Sequence, residues 1–453
     1  MWIVKKALSV FAPLLMLATS VFAQTNQTIP FLTLADIHFD PFISCKNQVP
    51  CPLILELQQA PVSKWHAILS AHEVSMSQFR QDTNDVLLSS ALAAAKQAAE
   101  ANHPQFVMVL GDFLGHDYRQ LFKKYTQNRN RADYRTFVQK TLLFMSNELS
   151  SAFGTTSVYA LIGNNDTYGG DYKVDVHGAF FRDTGEIWSG LIKDKQQGSA
   201  MRREFTTGGY YAVDAAPNLR LVVLNSVLFA TKAKGKDIDA AADTQLKWLH
   251  SQLEAAKGKH QQVIIAMHIP VGIDVYASLK YRLFRLVEFW RPAYVERFEN
   301  ELRDYSTVVS GIFTGHIHAD WFQVLALGNE RKIPVTGTPS ISPIFGNNPG
   351  FKIYTYSPKE EQIDNFKTYY YPLRDNGKWG LEYSFNHIYQ PHCVRCPVIT
   401  GMEKLTPSNQ LAAHYKHFYA VSTTSQPITT KWNPYYWCAI HEVKANDYAR
   451  CIT

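Results

Sequence analysis

Five short apolar runs stand out along the chain: Phe31–Ala35, Phe106–Leu110, Val158–Ile162, Val263–Met267 and Val308–Thr314. Each is strand-length and contiguous, so each reads as a buried strand. Between them lie segments with apolar residues at helical spacing. Asp85–Glu100 sets Leu88, Leu92, Ala95 and Ala99 on one face, and Thr244–Lys257 does the same with Leu246, Leu249 and Leu253. Tyr134–Leu149 is expected to be the helix before Val158. Tyr281–Asp304 reads as a long helical segment, interrupted or restarted near Pro292. Tyr210–Val213 and Leu219–Leu224 read as strands turning at Pro217-Asn218, and Trp321–Leu327 and Ile333–Thr338 as strands around Gly328-Asn329. Strands alternating with helices predict an α/β domain over residues 24–356.

From about Ser357 the pattern changes. Thr368–Pro372 and Leu381–Phe385 look like strands, a loop with Cys393 and Cys396 follows, and the end mixes helices with a Trp-Tyr-rich stretch at Trp432–Trp437. Residues 357–453 are therefore expected to be a smaller, partly helical C-terminal domain or extension. No internal repeat or low-complexity segment is evident.

Composition fits this picture. A chain of 453 residues, 46% apolar and 19% charged, belongs to the ordinary folded class and suits two or three domains. Residues 1–23 have the form of a secretory signal: Lys5 and Lys6, then the apolar stretch Ala7–Phe22, then Val21-Phe22-Ala23 before Gln24. The stretch is broken by Ser9 and Pro13, and no later run reaches the ~20 apolar residues of a spanning helix. The expectation is an exported protein, extracellular or periplasmic, with no transmembrane anchor, and a monomer is favoured. Loss of Lys5 and Lys6 lowers the formal charge from +6 to +4, which is mildly basic. No basic-aromatic array points to nucleic acid. Six cysteines in an exported chain favour disulfides. Closeness in sequence favours Cys45 with Cys51, Cys393 with Cys396 and Cys438 with Cys451 among the possible connectivities. The other reading of Cys393-Val-Arg-Cys396, redox or zinc, needs a reducing compartment or a second ligand pair, and neither is evident.

Metal-ligand side chains follow each apolar run directly. They are Asp36 and His38, Asp112, Asn164 in Gly163-Asn164-Asn165-Asp166, His268, and His316 and His318 after Gly315. Ligands at the carboxyl ends of successive strands converge, because α/β sheets build their sites there. Two aspartates, one asparagine and four histidines suit two divalent ions of the zinc, manganese or iron kind. Two such ions ~3.5–4 Å apart form a clamp for phosphate-ester hydrolysis.

The same residues resemble the calcineurin-like metallophosphoesterase family, whose pattern is D-x-H, G-D, G-N-H-[DE], a lone His and G-H-x-H. The resemblance implies a four-layer αββα sandwich. It implies one metal on Asp36, His38, Asp112 and His318 and another on Asp112, Asn164, His268 and His316, with Asp112 bridging. It implies in-line attack on phosphorus by a hydroxide the two metals share. Gly111-Asp112-Phe-Leu-Gly-His116 is similar to the acid sphingomyelinase-like phosphodiesterases, as are Ser342–Phe351 and the 13-residue step from Cys438 to Cys451. By that likeness His116 is the candidate general acid. Only about a dozen residues separate Ala23 from Asp36, so the branch without a saposin domain is expected. Substrates implied are phosphodiesters or pyrophosphates of the sphingomyelin, CDP-choline or nucleotide kind.

One position departs from the family. Where its pattern has Gly-Asn-His, this chain has Asn165, which can donate a hydrogen bond but no proton. The expectation is that His116 acts alone, or that the substrate has a good leaving group. Purple acid phosphatases, which share the ligand scheme, carry a tyrosine where this chain has Gly115, so zinc is the expected metal, with manganese or iron second. Two other readings stand beside this one: a phosphomonoesterase on the same site, and a catalytically impaired metal-binding surface protein, which Asn165 alone favours.

Overall fold

The apolar runs form the centre of the molecule. Ile29–Leu34 (β1), Phe106–Val109 (β2) and Ser157–Ala160 (β3) pair in parallel. Tyr211–Ala216 (β4), Leu219–Leu224 (β5), Gln262–Met267 (β6), Val309–Thr314 (β7), Trp321–Ala326 (β8) and Lys332–Gly337 (β9) form a second sheet in the order β4-β5-β6-β7-β9-β8. Gly350–Ser357 (β10), Gln362–Tyr370 (β11) and Gly380–Ser384 (β12) return to the first sheet, which reads β12-β11-β10-β1-β2-β3. The computed structural model describes residues 2, 28–46, 48–72, 75–328, 331–375, 377–393, 395–406, 410–423 and 427–453. The leader expected at 1–23 lies outside them apart from Trp2, as does Asn329 of the expected Gly328-Asn329 turn.

The two sheets face each other and helices cover their outer sides. Asp85–Asn102 and Arg131–Phe153 pack together on the first sheet, and Ile238–Gly258 covers the second, with Pro292–Asp304 beside it. The result is a four-layer αββα sandwich built from two mixed sheets. Between the sheets, Phe31 stacks on Phe106 at 5.0 Å and on Tyr354 at 5.2 Å, and meets Phe313 of the second sheet edge-on at 5.1 Å. The helices start where the sequence supplies caps: the Asn84 side chain accepts from the Leu87 amide and Asn130 from that of Ala132, satisfying donors a first turn leaves free.

The sheet runs through the boundary expected at residue 357, since β10 and β11 are paired along their length on either side of it. A buried charge ties this return to the second sheet. Lys352 on β10 lies 2.7 Å from Asp320 and donates to the Gly337 carbonyl, while Asp320 also accepts from Thr368 and Tyr383 on β11 and β12. Beyond β12 the chain forms short helices, including Gln410–Tyr419, Asn433–His441 and Ala445–Ile452. Disulfides join Cys45 to Cys51, Cys393 to Cys396 and Cys438 to Cys451.

The long helix expected over Tyr281–Asp304 is shorter. Only Pro292–Asp304 is helical, preceded by a six-residue helix at Val275–Lys280 and an irregular loop. The apolar residues of that loop serve other contacts. Trp290 is fully buried and donates to the Ile269 carbonyl at 3.0 Å, and the backbone at Ile273 and Ala230 pairs with Glu288 and Trp290. Pro292 then starts the helix at its first turn, where its missing N–H costs nothing.

Candidate metal centre

The strand ends deliver their side chains to one buried point. Asp36, His38 and His268 are wholly buried, and Asp112, His318 and Asn164 nearly so. The chain turns sharply to aim them: Asp36, His38, Asp112, His316 and His318 all have left-handed backbone, with φ of 49°, 48°, 55°, 73° and 60°. Such conformations cost of order 1–3 kcal/mol each in non-glycine residues and persist only where the surroundings hold them. Here the holding is explicit. The Asp36 carboxylate accepts from the His316 amide, and Asp166 accepts from the amides of Phe113, Leu114 and Gly163, tying the second ligand loop to the third.

Glycines make room. A Cβ on Gly163 would stand 2.1 Å from Asp112 Oδ1, and one on Gly315 would stand 2.6 Å from Asp36 Oδ2. Neither loop could carry a side chain there and keep its carboxylate in place.

The donor atoms are arranged for cations. His38 Nδ1 lies 3.0 Å from the Leu114 carbonyl, an acceptor, so Nδ1 carries the hydrogen and Nε2 is left with its lone pair. That Nε2 faces His318 Nε2 at 3.1 Å and Asp112 Oδ2 at 3.4 Å. His318 Nε2 in turn lies 3.2 Å from Asp36 Oδ1. On the other side, His268 donates from Nδ1 to the Leu110 carbonyl at 2.7 Å. Its Nε2 stands 3.2 Å from Asp112 Oδ2 and 3.2 Å from Asn164 Oδ1. Asn164 is oriented by donating its amide nitrogen to Asp171, which leaves the oxygen facing inward. Imidazole nitrogens and carboxylate or amide oxygens converge on both sides of Asp112, the donor set that divalent ions take, and the residues fit such a pair.

Burial and the charge of neighbouring His116 hold the His38 imidazole neutral, its pKa down to about 4. Burial works against charge on His268 too, but Asp112 outweighs it and draws its pKa up to about 9; a bound cation supplies the same positive charge. Asp112 stays well below the usual carboxylate range despite burial, because His268 and His38 adjoin it. His316 stands edge-on to His268 at 5.1 Å and accepts or donates at Nε2 with Tyr172 at 3.2 Å, at the margin of the group rather than within it.

His116 flanks this cluster. Its ring stacks on His38 at 4.2 Å, and Asp82 accepts from both its Nδ1, at 3.0 Å, and its backbone amide, at 2.8 Å. Burial would lower its pKa, yet the Asp82 hydrogen bond and charge raise it to about 9. Ser342 donates to the same carboxylate at 3.0 Å. Asn165 is placed differently from a phosphate-facing donor. Its amide nitrogen and backbone N–H both donate to Asp112, each at 2.8 Å, so it orients the carboxylate between the two metal positions. Phe345, 67% exposed, meets His318 at 4.6 Å and His116 at 5.7 Å and forms the rim.

The model of the Calcineurin-like phosphoesterase family matches residues 29–320, which hold every one of these strand-end ligands. The chain belongs to that family. The Acid sphingomyelin phosphodiesterase C-terminal region follows at residues 333–453, so this metallophosphoesterase is of the sphingomyelinase-like kind and a phosphodiester hydrolase by class. It is similar to "Sphingomyelinase phosphodiesterase D" of Dictyostelium discoideum, 27% identical over 82% of this chain and 80% of that one. It is 25% identical to the human "Cyclic GMP-AMP phosphodiesterase SMPDL3A" over 68% of this chain and 69% of the relative. It is 22% identical to the mouse "Acid sphingomyelinase-like phosphodiesterase 3b" over 93% and 89%.

Sequence reading missed Asp82, Tyr172 and Asp166 as parts of the metallophosphoesterase site, and gave Phe345 no role. Asp166 adjoins a ligand motif and could have been noticed. Asp82 lies 34 residues from His116 with no motif around it, and only the folded chain joins them.

Proposed function

We propose that the protein is an exported dimetal phosphodiesterase that hydrolyses phosphodiester or pyrophosphate bonds in small molecules. The observation that carries this reading is Asp112 standing between His38 and His268, with the Nε2 atoms of both imidazoles turned toward its one oxygen at 3.4 and 3.2 Å. Asp36, His38, Asp112 and His318 would hold one ion, and Asp112, Asn164 and His268 the other, with His316 joining it from the margin of the group; zinc is favoured because Gly115 leaves no phenolate for ferric iron. Two ions so held would lower the pKa of water toward neutrality and neutralise charge on a phosphate.

The chain's own residues do the rest. His116 donates the proton on Nε2 to the departing oxygen, while Asp82 holds Nδ1 and so fixes the ring's orientation. Asn165 keeps Asp112 aimed at both metal positions, and no second proton donor stands in its place. Good leaving groups, such as nucleoside phosphates, are therefore favoured over simple alkoxides. The relatives named for sphingomyelin and for cyclic GMP-AMP bracket the substrate class. Three disulfides and the leader-like residues 1–23 support export; among the described residues no helix is long and apolar enough to cross a membrane.

Hydrolysis of bis(p-nitrophenyl) phosphate, p-nitrophenyl phosphate, sphingomyelin, CDP-choline and nucleoside triphosphates by the purified chain tests the reading. Diester or pyrophosphate turnover that falls with His116→Ala supports it. Preference for the monoester would make the protein a phosphomonoesterase. No turnover with metal still bound would make it a binding protein.

A further inference from the structure

Residues 275–287 expose what most surfaces hide. Tyr276, Tyr281 and Phe284 are 73%, 54% and 91% exposed, and Lys280, Arg282 and Arg285 are exposed among them. No acidic residue occurs between Val275 and Val287. The segment is nonetheless built. The Asp274 amide donates to the Val287 carbonyl at 2.7 Å, and the Val287 amide to the Ser278 hydroxyl at 2.9 Å, which closes the excursion at its base. Inside it, Arg282, Leu283 and Phe284 donate back to Leu279, Ser278 and Tyr281. Its underside is anchored as well. Leu286 packs on a separate apolar cluster of Ile273, Cys438 and Tyr448, which the Cys438–Cys451 disulfide ties to the last helix. The aromatic side chains at the tip are thus held outward by a fixed base.

We propose that residues 275–287 are a docking loop for anionic bilayer surfaces. Tyr276, Tyr281 and Phe284 enter the boundary between headgroups and acyl chains, and Lys280, Arg282 and Arg285 pair with anionic lipid headgroups. Aromatic rings at the headgroup level beside cations are the composition of an interfacial element. Single-stranded nucleic acid also takes aromatics and cations, but it stacks along a groove. Phe284, the most exposed of the three, sits at the tip of a closed excursion with nearly all of its surface open.

The loop has a defined relation to the metal centre. Phe289, just past its end, lies 5.6 Å from His316. Phe289, Tyr276 and Ile317, the residue between His316 and His318, line one cavity of about 60 Å³. Docking there sets one flank of the centre against the bilayer, whichever phosphodiester it hydrolyses.

The test is co-sedimentation of the full chain with vesicles of phosphatidylcholine alone or mixed with phosphatidylserine, which needs no turnover and so stands apart from the hydrolytic reading. The wild type is expected to bind mixed vesicles more tightly than phosphatidylcholine, and less so as salt rises. R282Q combined with R285Q should weaken binding to mixed vesicles by about thirtyfold, from ~1 kcal/mol per cation near the surface. Y281S combined with F284S should weaken binding to both vesicle types. Thermal midpoints unchanged from wild type show that the variants fold. Equal binding to both vesicle types, indifference to these substitutions, or binding to a single-stranded oligonucleotide in place of vesicles would overturn the proposal.

Discussion

The metal cluster and the rim beside it are built on opposite plans. In the cluster, Asp36, His38 and His268 are fully buried, Asp36, His38, Asp112, His316 and His318 are in left-handed backbone, and glycines leave no room for another atom. At the rim, His116 is 34% exposed and Phe345 67%, and a single carboxylate, Asp82, holds the His116 ring in place. The cluster is over-determined: each ligand depends on its neighbours, so it works as a unit. The rim is adjustable, since side chains there can change without moving a backbone. The Asn165 departure falls on the seam between the two, changing proton chemistry while still bonding Asp112.

The largest effects should come from the cluster. Asp112→Asn removes charge from both metal positions at once, and metal content and turnover should be lost together. Gly163→Ala should do nearly the same, by forcing Asp112 aside. Displacement of about 1 Å is worth ~10²-fold in rate. A Gly163→Ala enzyme with normal metal content and rate would break the distinction between the two regions.

His116→Ala is the corresponding test of the rim. Turnover of esters with poor leaving groups should fall ~10²–10⁴-fold, turnover of p-nitrophenyl esters far less, and metal content not at all. Equal losses on both substrates would show that His116 does something other than protonate the leaving oxygen.

Asp82→Asn should act more gently, through His116. With Asp82 present, the imidazolium persists up to about pH 9, so an acid role is lost only as pH rises through that value. Without Asp82, the basic limb of the pH–rate profile should move to lower pH, with little change below the ordinary histidine range. The same raised pKa links to stability. Its contribution is complete below about pH 6.5 and disappears as pH rises through about 9, so the variant's deficit in thermal midpoint should be greatest on the acid side. An unmoved limb would detach Asp82 from the acid's function.

The smallest effect is a gain. Asn165→His restores a second proton-bearing ring and should raise rates on poor leaving groups selectively. No change there would mean that position 165 matters only for orienting Asp112.

These contrasts also explain what was legible in the sequence. Each of the seven expected ligands follows directly on a strand, so local pattern exposed the residues that the fold gathers at those strand ends, with His316 at their margin, and the family resemblance supplied the sandwich. His116 was visible through the likeness to the acid sphingomyelinase-like phosphodiesterases, which carry a histidine four residues after that aspartate. Asp82 was invisible because its bond to His116 is made by tertiary folding across a helix and a strand. The loop before Pro292 misled for a related reason: its apolar spacing suits a helix, but Trp290 and Leu286 pack on different partners that only the folded chain supplies. The continuation of the first sheet past residue 357 depends on β10 pairing with β1, which is more than three hundred residues earlier in the chain.

The proposed centre works only when both metal positions are filled. Its most direct test is turnover of bis(p-nitrophenyl) phosphate by the full chain, stripped with a chelator and then titrated with zinc. No turnover is expected after stripping, and full recovery at about two equivalents per chain. Turnover that survives stripping, or full recovery at a single equivalent, would contradict it.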